Sequence, residues 1–188
     1  HSHSHGYLVD KTDEEIEKDL KTSIKIFKEK LNHETKFFAY PFGEYKKSYI
    51  QIVKKLGFKY GFGQHSGVMD KSKNKLELPR FPINEKYGEE KRFKTLLNTF
   101  PFPYQNINPE ERYLQPRDNP PDVKVTFFED SPNIKNITCY SNEENNWRKS
   151  KIKFVSKKEM KIILDGKFVT ERGRINCSLR ENTGEWRW

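Results

Sequence analysis

Long apolar runs are missing from this 188-residue sequence. No stretch approaches the roughly 20 consecutive apolar residues that a helix needs to cross a bilayer, and no secretory signal segment is recognisable. Cysteine is scarce: Cys139 and Cys177 are the only two, and no zinc-finger spacing accompanies them. Both fall in apparent strands, NITCY and RINCSL. Such a pair staples two strands in an oxidising compartment or stands as two buried thiols in a reducing one, and spacing does not decide between them. Aliphatic residues are also sparse, with hydrophobic residues at only 33%, yet aromatic residues reach 14%. Apolar burial must therefore lean on large rings, which is the chemistry of a folded chain and not of a disordered one.

The formal charge is +9 and the sequence pI about 9.4. A basic excess favours polyanions, but here it is spread over both halves and a Lys-rich composition accounts for it. In WRKSKIKFVSKKEMK, Lys151 and Lys153 alternate with Ile152 and Phe154, giving a strand with one basic face. No base-stacking motif accompanies that face, so it reads as a solvated surface and nucleic acid is not an expected partner.

Thr12 to Leu31 reads as a helix. Thr12 with Glu15 forms a capping box, and Ile16, Leu20, Ile24, Phe27 and Leu31 recur at helical spacing. KFFAY, residues 36–40, is a short buried strand ending in a turn at Pro41 and Gly43. A second amphipathic helix spans about Lys46 to Leu56, with Tyr49, Ile52, Val53 and Leu56 on one side and Gly57 placed to end it. FKYGF is another strand. LELPRFPI is an edge or terminal strand, because two prolines exclude a central one. This rhythm is that of βα units around a parallel sheet. A short helix near Glu89 to Asn98 follows, and His33 reads as a helix-end residue compatible with the dipole.

The texture then changes. FPFPYQNINPEERYLQPRDNPPD carries six prolines and no hydrophobic period, as a linker or an extended strap does. Beyond it VKVTFFE, NIKNITCY, KSKIKFV, MKIIL, RINCSL and EWRW are short strands separated by turn residues, a pattern that suggests a small sandwich.

The opening pentapeptide, HSHSH, holds three of the five histidines. His1 and His5, four residues apart, share a side in either a helix or an extended segment, so both imidazoles can face one ion. A catalytic zinc takes three protein ligands and an open position, and the residues themselves do not identify a third. A His-Ser alternation also resembles an engineered tag, but a tag needs no sequel, and HGYL leads into a capped helix and a strand ending AYPFG.

On these residues the chain resembles the polysaccharide deacetylases, the carbohydrate esterases of NodB type, beginning at that family's second motif. Its H-[ST]-x-x-H pattern matches His1-Ser2-His3-Ser4-His5, and its R-x-P-[FY]-G-like turn matches Ala39-Tyr40-Pro41-Phe42-Gly43. The resemblance implies that His1 and His5 ligate zinc or another divalent metal and that His3 is a neighbour. It implies that the turn with Tyr40 and Pro41 lines the substrate groove and that the Phe42 backbone N–H helps form the oxyanion hole. Ala39 stands where many relatives carry an Arg. The family's paired aspartates, general base and third ligand, are not in this sequence, and its late Leu-x-x-His has no clear match. His65, in the Gly-rich loop GFGQHSG after a strand, is the candidate for that motif's proton donor. For Arg80, in LPRFP, the resemblance implies that it holds an active-site carboxylate, and the alternative is a pairing with a surface Glu. Tyr45 near the site, or Trp147, Trp186 and Trp188 in the β part, offer faces for sugar rings.

The expectation is an α/β protein. Residues 1–98 are read as the C-terminal part of a distorted NodB-type (β/α) barrel, 99–122 as a Pro-rich linker and 123–188 as a small all-β, sandwich-like domain. The implied activity is metal-dependent deacetylation of an N-acetylated amino-sugar polysaccharide, in an extracytoplasmic or cell-envelope setting. The alternative is a non-catalytic glycan-binding module. The sequence starts inside a motif and without Met, so a preceding portion is expected. A barrel lacking its first strands exposes a sheet edge, so poor solubility is expected of these residues alone.

Overall fold

Thr12 caps the first helix, α1 (Asp13–Leu31), by accepting from the Glu15 N–H at 3.3 Å, while the Glu15 carboxylate accepts from the Thr12 N–H at 2.9 Å. The reciprocal bond holds the Glu15 carboxyl below its ordinary pKa. Ile16 and Leu20 are fully buried, whereas Leu31 is exposed, so the helix outruns the core it packs on. The chain next forms β1 (Phe37–Ala39), α2 (Lys47–Lys55) and β2 (Tyr60–Phe62). β1 and β2 pair in parallel, Phe38 opposite Gly61, as two strands joined through a helix must when both run the same way. A third extended segment touches this pair at a parallel bridge between Phe62 and Leu78. LELPRFPI thus contributes one bridge and not a full strand.

The expected reliance on rings is seen in this first unit, His1–Pro82. The Phe38 ring lies 5.1 Å from those of Tyr40 and Phe58, and Tyr40 lies 4.9 Å from Tyr45 and 5.1 Å from Tyr49. Each buried side chain of this size contributes about 1.5–3 kcal/mol. Burial pushes the Tyr40 and Tyr49 phenols well above their ordinary pKa.

α2 ends as its sequence indicates. Gly57 takes φ +91°, its N–H donates to the Lys54 carbonyl at 3.0 Å, and the Phe58 N–H donates to the Val53 carbonyl at 3.3 Å, the paired bonds of a Schellman cap.

The second unit, Ile83–Trp188, begins with α3 (Glu90–Leu97). It then builds β3 (Tyr104–Asn108), β4 (Val123–Phe127), β5 (Ile137–Ser141), β6 (Arg148–Lys149), β7 (Lys151–Ser156), β8 (Glu159–Ile163), β9 (Ile175–Arg180) and β10 (Trp186–Arg187). These strands form two four-stranded antiparallel sheets, β3-β4-β8-β7 and β10-β9-β5-β6. One hydrophobic cluster joins Val123, Val125 and Phe127 of β4 and Met160 and Ile162 of β8 to Ile137 and Cys139 of β5 and Leu179 of β9. The structure, a computed structural model, describes residues 1–131 and 133–188, and among them the protein is a mixed α/β chain. No helix among the described residues is long and apolar enough to cross a membrane.

Two readings meet a different arrangement. The compact units divide between Pro82 and Ile83, ahead of the boundary read at residue 98. The segment read as linker or strap does pair. Phe100 and Phe102 donate their N–H groups to the carbonyls of Trp186 and Trp188 at 2.8 and 3.2 Å, and β3 then pairs with β4. Prolines at 101 and 103 lack an N–H, and alternating with phenylalanine they leave the donors on one side only, which an edge position accepts.

Cys139 and Cys177 sit directly opposite each other on β5 and β9 and form a disulfide, their Cα atoms 4.1 Å apart. The bridge closes a sequence separation of 38, for which chain entropy in the unfolded state corresponds to about 4 kcal/mol.

Two measurements check these assignments. Gly57→Ala, whose Cβ would stand in open space but at positive φ, should lower unfolding free energy by about 1 kcal/mol in denaturant titration. Replacing both cysteines with Ala should cost about 2–4 kcal/mol and should abolish the sensitivity of the unfolding midpoint to reductant.

Candidate active site

Parallel strands share a carboxyl end, and loops that follow such strands are where α/β proteins assemble reactive groups. β1 runs into Tyr40-Pro41-Phe42-Gly43, β2 into Gly63-Gln64-His65, and the segment bridged at Leu78 into Pro79-Arg80. The Tyr40 N–H donates to the Phe62 carbonyl at 3.0 Å, the Gly63 N–H to the Leu78 carbonyl at 3.0 Å and the Arg80 N–H to the His65 carbonyl at 3.0 Å, so the three loops are laced together.

The turn after β1 takes positive φ at two positions, of which only Phe42 is strained by it. Phe42 takes φ +56° and Gly43 φ +77°. The Gly43 N–H donates to the Tyr40 carbonyl at 2.9 Å and the Glu44 N–H to the Pro41 carbonyl at 3.1 Å. A Cβ on Gly43 would lie 2.4 Å from the Gln64 backbone nitrogen. The turn is therefore pressed against the loop that carries His65, and only glycine permits the approach.

The HSHSH segment stands over this turn. The rings of His1 and His5 are parallel, with centroids 4.6 Å apart, and the Phe42 ring meets His5 edge-on at 5.0 Å. Tyr7 adds a tilted contact to Phe42 at 5.9 Å. His5 itself takes φ +53°. Both imidazoles are exposed, whereas Ser2 between them is buried, its hydroxyl accepting from the His5 N–H at 3.1 Å.

The two rings are stacked, and an imidazole takes a cation through a lone pair in its own ring plane, which zinc holds at about 2.0–2.1 Å, so the pair supplies two positions around one ion only once the rings turn out of the stack. Among the described residues no group of three His, Cys, Asp or Glu is arranged to hold a metal, so the pair accounts for part of a ligand set. The His1 Nδ1 accepts from the Ser2 N–H at 3.0 Å. A neutral ring bonded this way carries its proton on Nε2, so taking a cation at Nε2 requires His1 to give up that bond.

The other residues singled out from sequence divide into two sets. His65 is exposed, its ring folded over Gly63 and 6.3 Å from that of Tyr45. The Arg80 side chain is exposed, and its guanidinium makes no ion pair with a carboxylate among the described residues. Tyr40, expected to line a substrate groove, is only 1% exposed and donates its hydroxyl to the Leu76 carbonyl at 3.0 Å. Pro41 and Tyr45 are buried too. These three rings belong to the core, because the strand turns inward before the chain emerges at Phe42. His33 lies exposed beside Phe27, away from any of these groups.

Two polar residues of the site, Asp19 and Ser23 of α1, gave no sequence signal. The Asp19 carboxylate accepts from the N–H groups of His3 and Ser4 at 2.8 and 3.1 Å, and the Ser23 hydroxyl donates to the His1 carbonyl at 2.6 Å. Only their spacing of four on one helix, between apolar positions, hints at a shared face.

Residues 1–61 match the family model for polysaccharide deacetylase. That N-terminal segment, under half of the chain, includes His1, His5 and the Phe42 turn and is similar to the polysaccharide deacetylase family. No curated protein matches the chain. Among solved structures, Streptococcus pyogenes deacetylase PplD in complex with acetate is similar over 48% of this chain and 39% of its own, with 24% identity and a TM-score of 0.45. The present chain thus spans well under half the length of that protein.

Gly43→Ala should destabilise by clearly more than Gly57→Ala, about 2–4 kcal/mol. Both positions hold positive φ, but only at residue 43 must a neighbouring backbone atom move. Denaturant midpoints of the two variants, measured side by side, check the order.

Proposed function

We propose that this chain is part of a metal-dependent polysaccharide deacetylase acting on an N-acetylated amino-sugar polymer. His1 and His5 would supply two of the ligands to zinc or another divalent metal. One observation carries the reading: within the segment that matches the deacetylase family, the two imidazoles face each other at 4.6 Å, and the turn residue Phe42 packs against one of them.

When bound, the metal supplies Lewis-acid polarisation of an acetyl carbonyl. The chain's own residues do the rest. The Phe42 N–H, in the strained turn, donates to the oxygen that gains negative charge as the carbonyl becomes tetrahedral. His65, on the adjoining loop, delivers a proton to the departing amine, for which an imidazole's ordinary pKa is suited. Arg80, one loop further, holds a carboxylate by charge-assisted hydrogen bonds. Ser2, buried between the two imidazoles, keeps the pentapeptide turned so that both rings face outward. The barrel reading of the first unit and the sandwich reading of the second belong to this proposal, the second unit serving as an accessory domain whose exposed Tyr140 and Trp147 offer faces for sugar rings. The Cys139–Cys177 bridge supports an oxidising, extracytoplasmic or cell-envelope setting.

The test is acetate release from an N-acetylated glycan by the full-length gene product, together with metal analysis. His1→Ala and His5→Ala should each reduce release at least 100-fold and lower the bound metal, while His3→Ala should retain most of both. Unchanged release after chelation, or after His5→Ala, would overturn the reading.

A further inference from the structure

We propose that Asp19 is the positioning residue for the His1–His5 pair, holding the two imidazoles beside each other within reach of one metal ion without itself touching the metal. The inference rests on the assignment of that pair as metal ligands.

The pentapeptide forms no helix or strand, and its local bonds, from the Ser2 N–H to the His1 Nδ1, the His5 N–H to the Ser2 hydroxyl and the Gly6 N–H to the Ser4 hydroxyl, do not tie it to the rest of the fold. What fixes it comes from α1. The two oxygens of one carboxylate take two consecutive backbone N–H groups, those of His3 and Ser4, and one helical turn further Ser23 ties down the carbonyl of His1. Hydrogen bonds to an ionised acceptor are about twice as strong as neutral ones, and here two are made by a single side chain across a sequence separation of 15 or 16 residues. Between them these bonds hold the segment on both sides of Ser2 and immediately before His5.

His5 makes the clasp necessary. A non-glycine residue at φ +53° costs of order 1–3 kcal/mol and persists only where its surroundings over-determine it. Two local bonds support that conformation, from the His5 N–H to the Ser2 hydroxyl and from the Gly6 N–H to the Ser4 hydroxyl. Asp19 fixes the two residues that precede His5, and with them the direction in which the His5 ring leaves the backbone. Were the segment released, His5 would relax toward negative φ and its ring would turn away from that of His1. Two ligands that must be gathered from a disordered segment bind an ion more weakly than two already held beside each other, because the ordering cost is then charged to binding. Loss of such outer partners typically lowers metal affinity 10- to 100-fold.

The experiment compares wild-type full-length protein with Asp19→Ala, Asp19→Asn and Asp19→Glu. Three readouts are used: zinc affinity by competition with a chromophoric chelator, the visible spectrum of the cobalt(II)-loaded protein, and the unfolding midpoint without metal. The proposal expects zinc affinity to fall 10- to 100-fold in Asp19→Ala and by less in Asp19→Asn, which keeps one acceptor oxygen. It expects partial recovery in Asp19→Glu and an altered cobalt spectrum in Asp19→Ala. If Asp19→Ala does not fold, the Asn and Glu variants carry the comparison. Wild-type affinity and spectrum in folded Asp19 variants would overturn the positioning role while leaving His1 and His5 as ligands. Failure of the wild-type protein to bind zinc would overturn both this inference and the assignment of the pair on which it rests.

Discussion

The parallel pairing of two three-residue strands governs everything else in the first unit. β1 and β2 are too short to be stable by themselves, and their neighbours hold them: rings of Phe38, Tyr40, Tyr49 and Phe58 beneath, and the bridged segment at Leu78 alongside. Because the strands run the same way, three loops leave from one end. His65, Arg80 and the Phe42 turn are neighbours by virtue of strand direction and not of sequence proximity. Slip the pairing by one residue and Phe38 would face outward while Gly61 lost its partner.

Against this scaffold the pentapeptide is a different kind of structure. It is positioned by polar bonds from a helix rather than by burial, and both of its outer imidazoles are open to solvent. Rigidity in the site thus comes from two sources: steric closeness at Gly43 and Gln64, and charge-assisted hydrogen bonding at Asp19. The first depends on the absence of a side chain at residue 43, and the second on two acceptor oxygens carried by one side chain.

Much of this was readable beforehand. The capping box at Thr12, the helix stop at Gly57 and all six strand-like runs after Val123 correspond to elements, because each rests on a local rule that tertiary packing did not override. The His1–His5 pairing above the turn with Pro41 was legible as a motif. What was not legible required distance information. Tyr40 ends a strand that reads as buried and also opens the turn that the family resemblance assigns to a substrate groove, and its neighbours in space, Phe38, Tyr45, Tyr49 and Leu76, place it in the core. The edge strand β3 lies within a proline-rich stretch, and prolines that alternate with donors look the same in sequence whether or not a partner strand waits beside them. Asp19 is an ordinary acidic residue on an amphipathic helix until the His3 and Ser4 amides are seen to lie against it.

The bridge between Cys139 and Cys177 joins residues that are already opposite one another in one sheet. A covalent rung at that position prevents β5 and β9 from sliding or peeling apart. It also means that tension applied to the two ends of the second unit would pass from one strand to the other through sulfur, leaving the segment between the cysteines unloaded. Under load such a link would keep β6, β7 and β8 out of the path of the force after the outer strands had begun to yield.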